Sequence, residues 1–150
     1  MKAVIQRVAG ASVTIEKETK RTIGPGLLIL LGVGKDDTEA DGKWLANKIA
    51  KMRIFQDTAG KMNLSVLDKG GEAMVISQFT LFADTNKGNR PSFNGSGTPE
   101  TAIPLYEKFT AELSAILEKP VPTGEFGAHM DVELINDGPV TIMMDTKEGK

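Results

Sequence analysis

Leu27-Leu28-Ile29-Leu30-Leu31-Gly32-Val33 is a run of seven residues without a charged side chain, and the turn signal Gly24-Pro25-Gly26 comes directly before it. A short, continuous apolar run of this kind is typical of a strand that is buried on both faces. The run therefore predicts a strand within a sheet that other parts of the chain cover.

A hairpin is predicted at the start of the chain. Residues 2–8 and 11–16 are rich in β-branched side chains, and Ala9-Gly10 between them is a hairpin signal. Two further strands are predicted over residues 53–56, which a turn follows, and over residues 73–82.

A second antiparallel pair is predicted near the end of the chain. Residues 130–134 and 140–144 each alternate apolar with polar side chains, which is typical of half-buried strands. Asn136-Asp137-Gly138-Pro139 would form the turn between them. Only about 5–6% of X-Pro bonds in folded proteins are cis, so frequency alone favours a trans bond before Pro139.

Two helices interrupt the strands. Thr38 is a suitable N-cap with acidic residues in the turn that follows, and it precedes a buried stripe formed by Leu45, Ile49 and Met52. Thr98-Pro99 supplies an N-cap and a first helical residue for the second helix, which Pro120 ends. Residues 84–98 before it form a polar loop of a length that is more often functional than accidental.

The predicted fold is α+β, with a curved, barrel-like antiparallel or mixed β-sheet covered by the two main helices. At 150 residues, the chain is long enough for one domain over 1–150 with its own core.

Composition excludes several classes of protein. The chain has no cysteine and one histidine, His129, so we expect neither a thiolate nucleophile nor a metal site. It has no apolar run of 18 residues, and its N-terminus turns charged too early for a signal peptide. We therefore expect a cytoplasmic protein with no membrane partner.

Charge is distributed unevenly along the chain. Residues 1–90 contain 14 Lys and Arg against 10 Asp and Glu, whereas residues 91–150 contain 4 against 10. A phosphate-rich partner would meet the first part, although folding mixes the two parts and chance unevenness is an equal explanation.

Ser77-Gln78-Phe79-Thr80-Leu81 is the first candidate site. Its hydroxyls and amide can position a polar substrate, and free backbone N–H groups there can stabilise an oxyanion. On a strand, Gln78 and Thr80 would share one face. A polar strand edge is the more common explanation. A Ser or Thr nucleophile needs a neighbouring base, and His129 is the sole imidazole.

Three other positions could bind a substrate. Arg7, on the first strand, could hydrogen-bond carbonyls or a phosphate, although an arginine at a strand end is usually solvated. Phe126 and Met130 flank a glycine and could sandwich a nucleobase, although core packing is the more common role of such side chains.

Several segments together resemble one family. They are Ala3-Val4-Ile5-Gln6-Arg7-Val8, Ala11-Ser12-Val13, Gly24-Pro25-Gly26-Leu27, Arg53-Ile54-Phe55, Lys61-Met62-Asn63-Leu64-Ser65, Ser77-Gln78-Phe79-Thr80-Leu81, Arg90-Pro91-Ser92-Phe93 and Asn136-Asp137-Gly138-Pro139-Val140-Thr141. The chain resembles the D-aminoacyl-tRNA deacylase (D-tyrosyl-tRNA deacylase) family over almost its whole length.

This resemblance implies a function. Members hydrolyse the ester between a D-amino acid and the 3′-terminal adenosine of tRNA, spare L-aminoacyl-tRNA, and remove glycine mischarged on tRNA(Ala). They are homodimers with active sites at the interface, and no cofactor is implied. The segment over residues 77–80 would be catalytic.

The resemblance also implies binding roles. The Gly138-Pro139 bond would be cis and reach into the partner's pocket, where its carbonyls meet the α-amino group of the substrate. Arg7 would hold the Gly-Pro carbonyls in place. Phe126 and Met130 would lie close to the terminal adenine.

The chemical step leaves alternatives open. We favour water assisted by the ribose 2′-hydroxyl, with N–H groups around Phe79 and Thr80 holding the oxyanion, over a Thr80 nucleophile. Hydrolysis of another small ester or peptide by Thr80 is an alternative. A non-catalytic RNA- or protein-binding dimer that uses the loop around Lys87 and Arg90 is another.

Overall fold

The computed structural model describes residues 1–149; Lys150, the last residue of the predicted domain, lies outside the described part. The strands are β1 (Lys2–Ile15), β2 (Thr19–Ile23), β3 (Gly26–Gly32), β4 (Phe55–Gln56), β5 (Met62–Leu64), β6 (Glu72–Ser77) and β7 (Met130–Asp145). The helices are α1 (Glu39–Lys51), α2 (Val66–Lys69), α3 (Pro99–Leu117) and α4 (Thr146–Gly149), with a 3₁₀ turn at Phe79–Phe82.

The main sheet is mixed and curled. Its order is β2-β1-β3-β6, with β7 paired to β1, and β3–β6 is its parallel pair. The first half of β1 pairs with β3 and the second half with β2, while β7 follows β1 from Lys2 to Ile15. A long strand with successive partners must bend between them. The predicted α+β fold with a curved, mixed sheet is confirmed.

The central strand β3 is buried on both faces, as its sequence predicts. Leu27, Ile29 and Leu31 belong to the core shared with α1 and α3. Leu28 lies on the opposite face, in a second core that continues from β1 onto β6. Burying one such side chain stabilises the fold by about 2 kcal/mol, so this strand fixes the sheet between two apolar layers.

Both predicted helices are present. The Thr38 N–H donates to Asp41 Oδ2 at 2.9 Å at the start of α1. Thr98 is the N-cap of α3 and Pro99 its first residue, and the helix ends at Glu118, whose φ of 54° is left-handed. Within residues 1–149, no helix combines the length and apolar character that crossing a bilayer requires.

The predicted hairpin at Ala9-Gly10 is wrong, because β1 continues through these residues without a break. The chain reverses later, where Glu16 and Lys17 have φ values of 50° and 59°. Pairs of left-handed residues form the hairpin turns that match strand twist. At Gly10 the register with β7 shifts instead, so the glycine belongs to a bulge and not a turn.

The predicted strand pair around Gly138-Pro139 is also wrong. Both segments belong to the single strand β7, and both pair with β1 rather than with each other. Gln6 lies opposite Thr141 and Val8 opposite Asn136. Arg7 alone therefore faces residues 137–140, which leave the sheet as an excursion.

Two predicted strands are shorter than expected. The strand over residues 53–56 is reduced to β4, although the turn after it forms, with the Gly60 N–H donating to the Asp57 carbonyl. The strand over residues 73–82 ends at Ser77 and continues as the 3₁₀ turn. Gln78 and Thr80 therefore do not share a strand face, and that expectation is corrected.

Candidate active site

A cleft of about 550 Å³ opens at the end of β6. Its walls are Ile76, Ser77, Gln78, Phe79, Ser96, Gly97, Pro99, Phe126, Gly127, Ala128, His129, Met130 and Val132. The cleft therefore brings Ser77, Gln78 and Phe79 of the first candidate segment together with both predicted base-binding side chains. It also includes the end of the 84–98 loop and the start of α3, which no local motif indicated.

Two free backbone donors lie beside this cleft. Gln78 N–H completes the pairing with β3 by donating to the Leu31 carbonyl at 2.8 Å. The chain then turns sharply, and Leu81 N–H returns to the Gln78 carbonyl at 3.3 Å. The Phe79 and Thr80 N–H groups between them have no acceptor among the residues that the structure describes. Free N–H groups of this kind can stabilise a developing oxyanion.

The hydroxyls of this segment have no base beside them. Gln78 Nε2 donates to Thr80 Oγ1. Over residues 1–149, neither Ser77 nor Thr80 is hydrogen-bonded to an imidazole or a carboxylate. His129 lies at the rim with its side chain 62% exposed and its Nε2 4.0 Å from Asp131 Oδ1. The arrangement therefore lacks the hydrogen-bonded base that normally activates a hydroxyl nucleophile.

Phe79 is held by the predicted functional loop. Its ring is 52% exposed and packs edge-on against Phe93, with centroids 5.1 Å apart at 70°. The loop residue thereby supports the turn that carries the free N–H groups.

Phe126 and Met130 form the apolar wall of the cleft. Phe126 packs against Tyr106, with ring centroids 6.5 Å apart. The Tyr106 hydroxyl donates to the Val75 carbonyl at 3.1 Å, and burial raises the pKa of this phenol above its usual value of 10. A Cβ on Gly124 would lie 2.1 Å from Met130 Sδ, so this glycine leaves the space that the thioether fills.

Tyr106 and Gly124 support this wall, and sequence reasoning did not assign either of them to the site. Tyr106 carried only a core signal, its place on the apolar face of the second helix. Gly124 had no motif at all.

The excursion opposite Arg7 requires glycine at position 138. The Gly138–Pro139 bond is cis, in contrast to the general frequency of X-Pro bonds, and φ of Gly138 is 137°. A Cβ there would lie 2.8 Å from Val140 N and 3.2 Å from Arg7 Nη2. Both the conformation and the close approach therefore exclude a larger residue. Gly138 and Pro139 are exposed.

The Arg7 side chain, on β1, holds this excursion by a hydrogen bond. Its side chain is 8% exposed, so the solvated alternative is wrong. Nε donates to the Asp137 carbonyl at 2.9 Å, and Nη1 donates to the Ile54 carbonyl at 2.8 Å. The hydrogen bond therefore reaches the residue before Gly138 and not the Gly-Pro carbonyls themselves. Gln6 Nε2 adds a second anchor at Asn136 Oδ1, 2.8 Å away.

One chain does not bring all the candidate residues together. Thr80, Arg7, Gly138 and Pro139 are not among the residues that line the cleft. Asp137 lines a separate cavity of about 570 Å³, next to Phe55 and Pro122. The described part of the chain contains no group of three His, Cys, Asp or Glu side chains placed to hold a metal ion.

Known proteins match the chain over nearly its full length. The family described as "D-Tyr-tRNA(Tyr) deacylase" matches residues 4–145. A D-aminoacyl-tRNA deacylase of Akkermansia muciniphila is 59% identical, and the match covers 99% of each chain.

Two solved structures share the fold. One is called "c-Myc DNA Unwinding Element Binding Protein", with a TM-score of 0.89, 41% identity and coverage of 97% of this chain and 98% of that one. The other is described as a probable eukaryotic D-amino acid tRNA deacylase; it has a TM-score of 0.82 at 14% identity, and covers 95% of this chain and 97% of that one.

These matches define the class of the protein as a deacylase, a hydrolytic enzyme. The chain belongs to the D-Tyr-tRNA(Tyr) deacylase family. The resemblance in the sequence motifs is therefore confirmed.

Proposed function

We propose that this enzyme hydrolyses the ester between a D-amino acid and the 3′-terminal adenosine of tRNA, releases the free amino acid, and spares L-aminoacyl-tRNA. One observation carries this proposal. A single cleft combines an apolar wall, Phe126 and Met130, with Phe79, whose N–H group and that of the next residue, Thr80, have no acceptor among the described residues. A wall for a flat base beside donors for an oxyanion fits an ester attached to a nucleoside.

The adenine is assigned to the apolar wall. The Phe126 ring is held in place by Tyr106, and Met130, the first residue of β7, supplies a polarisable thioether. Aromatic and apolar side chains bind unstacked bases in this way. The ester carbonyl then points toward the 3₁₀ turn.

Water is the nucleophile in this assignment. The 2′-hydroxyl adjacent to the ester assists its attack, and the Phe79 and Thr80 N–H groups stabilise the oxyanion as the tetrahedral intermediate forms. The ester C–O bond then breaks, and the ribose 3′-oxygen leaves with a proton. Thr80 Oγ1, which accepts from Gln78, orients the turn and does not attack.

Handedness is assigned to Gly138 and Pro139 of a second copy of the chain. These residues lie outside the cleft of their own chain and are exposed, so they are free to enter the cleft of another. Their carbonyls would accept from the α-amino group and leave room only for hydrogen on that side of Cα. A backbone wall rejects an L side chain by steric overlap, whereas glycine passes.

Strand β7 supports a homodimer with sites at the interface. It is a 16-residue strand whose sole strand partner within residues 1–149 is β1, so one of its edges is unpaired there. Ile135 is 67% exposed and Met143 is 80% exposed on it. Long edges and exposed apolar side chains of this kind are typical of contact surfaces.

Incubation with D-Tyr-tRNA, L-Tyr-tRNA and Gly-tRNA(Ala) tests the proposal. We expect loss of the first and third esters while the second survives. Equal hydrolysis of the D- and L-esters would contradict the chiral screen. Cleavage of simple esters without a ribose would favour a general esterase.

A second candidate is nucleic-acid binding without catalysis. The name of the 41% identical structure favours it, since that protein is called a DNA-unwinding-element-binding protein. Retarded mobility of a nucleic acid with no release of amino acid from any of the three esters would support this candidate instead.

A further inference from the structure

We propose that the outer face of α1 binds the phosphate backbone of the tRNA substrate, away from the catalytic cleft. This inference rests on the proposed function, which makes tRNA the substrate. A groove of about 790 Å³ lies along this face. Its walls are Ala40, Lys43, Trp44, Asn47, Lys48, Lys51, Met52 and Arg53, and we call it the basic groove.

Helical spacing gathers the cations of the basic groove. Lys43 and Lys51 are eight residues apart, and Lys48 lies between them, so all three project from neighbouring turns of α1. The opposite side of the helix, including Leu45 and Ile49, is buried in the core. The lysines therefore cannot turn inward, and their charges stay at the surface.

The charges of the three lysines are not neutralised by a carboxylate within residues 1–149. In the part that the structure describes, Lys43, Lys48 and Lys51 make no ion pair with a carboxylate. Arg53 donates to an amide oxygen, that of Asn63, and its charge also acts on the Asp68 carboxylate, whose pKa it helps to lower. Four cations with no carboxylate among the lining residues give a positive potential that attracts phosphates.

Other lysines near α1 are paired. Lys108 lies 2.9 Å from Glu39, and Lys147 lies 3.4 Å from Asp37. Of the groove residues, Asn47 is bonded to an acidic side chain, since its Nδ2 donates to Glu112 Oε1 at 3.3 Å. The ion pair of Glu39 with Lys108 thus joins the N-terminal end of α1 to α3, whereas the lysines without an ion pair line the basic groove.

Trp44 makes RNA a better occupant than an acidic membrane. Its half-buried ring lies among the cations, and cationic grooves with an aromatic face bind nucleic acid by combining phosphate contacts with stacking. A flat bilayer could not enter a concave groove.

The position of α1 relative to the cleft fits a tRNA end. The chain leaves β3 at Val33 and Gly34, where Gly97 N–H donates to the Val33 carbonyl at 2.9 Å and Gly34 pairs with Ser96. Ser96 and Gly97 also line the cleft. The 13 residues of α1 then span about 20 Å. We therefore place the stem that is attached to a 3′ end in the cleft along this helix.

Trp44 provides a direct probe, because it is the sole tryptophan of the chain. Titration with tRNA that carries no amino acid should quench the fluorescence of Trp44. The triple variant Lys43→Gln, Lys48→Gln and Lys51→Gln should bind more weakly. The plot of log K against log salt has a negative slope, and loss of three phosphate contacts makes that slope shallower by about 2.7. Between 50 and 200 mM salt, the wild-type affinity should therefore fall about 40-fold more than that of the variant.

The matched control replaces three exposed lysines outside the groove, with Lys17→Gln, Lys20→Gln and Lys61→Gln. It removes the same net charge and should keep the wild-type salt slope. Equal slopes for wild type and groove variant would overturn the proposal. So would quenching of Trp44 by phosphatidylglycerol vesicles with none by tRNA, which would assign the groove to an anionic membrane.

Deacylation separates this inference from the proposed function. The groove variant should lose kcat/KM for D-Tyr-tRNA about tenfold through KM, and should hydrolyse D-tyrosyl-adenosine at the wild-type rate. If the wild type binds tRNA through the groove but releases no D-tyrosine, the proposed function fails and the groove stands. If deacylation proceeds and the groove variant matches wild type on D-Tyr-tRNA, the groove fails and the function stands.

Discussion

Arg7→Met tests how the excursion over residues 137–140 is held in place. The substitution keeps an unbranched apolar stem and removes the guanidinium, which donates to the carbonyls of Asp137 and Ile54. A hydrogen bond from a charged donor contributes about 1.5–3 kcal/mol, and both are lost. The ion pair with the Asp137 carboxylate adds little, because that side chain is 55% exposed.

The net cost is smaller than the sum of the two bonds. Burying a guanidinium is itself unfavourable, and the variant is spared that cost. We therefore expect the free energy of unfolding to fall by about 3 kcal/mol, which lowers Tm by about 6–12 °C in a chain of this size. Urea denaturation followed by circular dichroism, at one fixed protein concentration, measures this change.

The same variant should lose activity, because the excursion loses its anchor at the residue before Gly138. D-Tyr-tRNA deacylation should fall at temperatures where the variant is still folded. Arg7→Lys is the control, since a lysine keeps the charge but cannot span both carbonyls, and it should lose about half as much stability. The anchoring role would be refuted if the free energy of unfolding of Arg7→Met lay within about 0.5 kcal/mol of the wild-type value and the variant kept full activity.

Three further predictions follow from the geometry. Thr80→Ala should keep most of the D-Tyr-tRNA deacylation rate, because water rather than the hydroxyl attacks; single-turnover kinetics measure it. Gly26→Ala should destabilise the fold by about 3 kcal/mol or more in urea denaturation, because its Cβ would lie 1.8 Å from the Glu72 carbonyl oxygen. The hydrogen bond from the Ser65 N–H lowers the pKa of Asp68 below 3.8, so its stabilising contribution is present above that pH and is lost as pH falls further. The stability difference between wild type and Asp68→Asn, measured in urea from pH 7 to pH 2.5, should therefore narrow as the pH falls.

Each of these predictions has a contrary result. An acyl group trapped on Thr80 during turnover would restore the covalent mechanism. Gly10→Ala is the control for Gly26→Ala, since its Cβ would lie 3.5 Å from the nearest atom, and equal effects of both would contradict the clash. A difference between wild type and Asp68→Asn that stays constant down to pH 2.5 would show that the carboxylate charge does not matter.

The sequence was a reliable guide where a local pattern has one structural meaning. The apolar run over residues 27–33 could only be satisfied by burial on both faces, and β3 has it. Thr38 and Thr98 marked helix starts, and the carbonyl of each accepts from N–H groups of the first turn, although Thr98 makes no side-chain cap bond.

The sequence misled where a pattern has two meanings. Ala9-Gly10 and Asn136-Asp137-Gly138-Pro139 both carry turn residues between apolar segments, and such residues suit a hairpin or a bulge equally well. The structure uses both as irregularities in two long strands that lie side by side. Which of the two forms depends on the backbone groups alongside, and those come from residues about 130 positions away.

The candidate site divides in the same way. Residue types alone indicated Ser77, Gln78 and Thr80 through their hydroxyls and amide, and Met130 through its thioether; of these, Thr80 does not line the cleft. The curl of the sheet brought the end of β6 beside the start of β7, so that the other three side chains line one cleft with Phe126.

Side-chain chemistry and short-range periodicity were thus set by the sequence alone, because both are properties of about ten consecutive residues. Tertiary structure decided that Arg7 is buried and that Gly138 and Pro139 lie outside their own chain's cleft. The physical reason is that β1 pairs with β7 along its whole length, so one residue on β1 faces four on β7, and the surplus backbone has to leave the sheet.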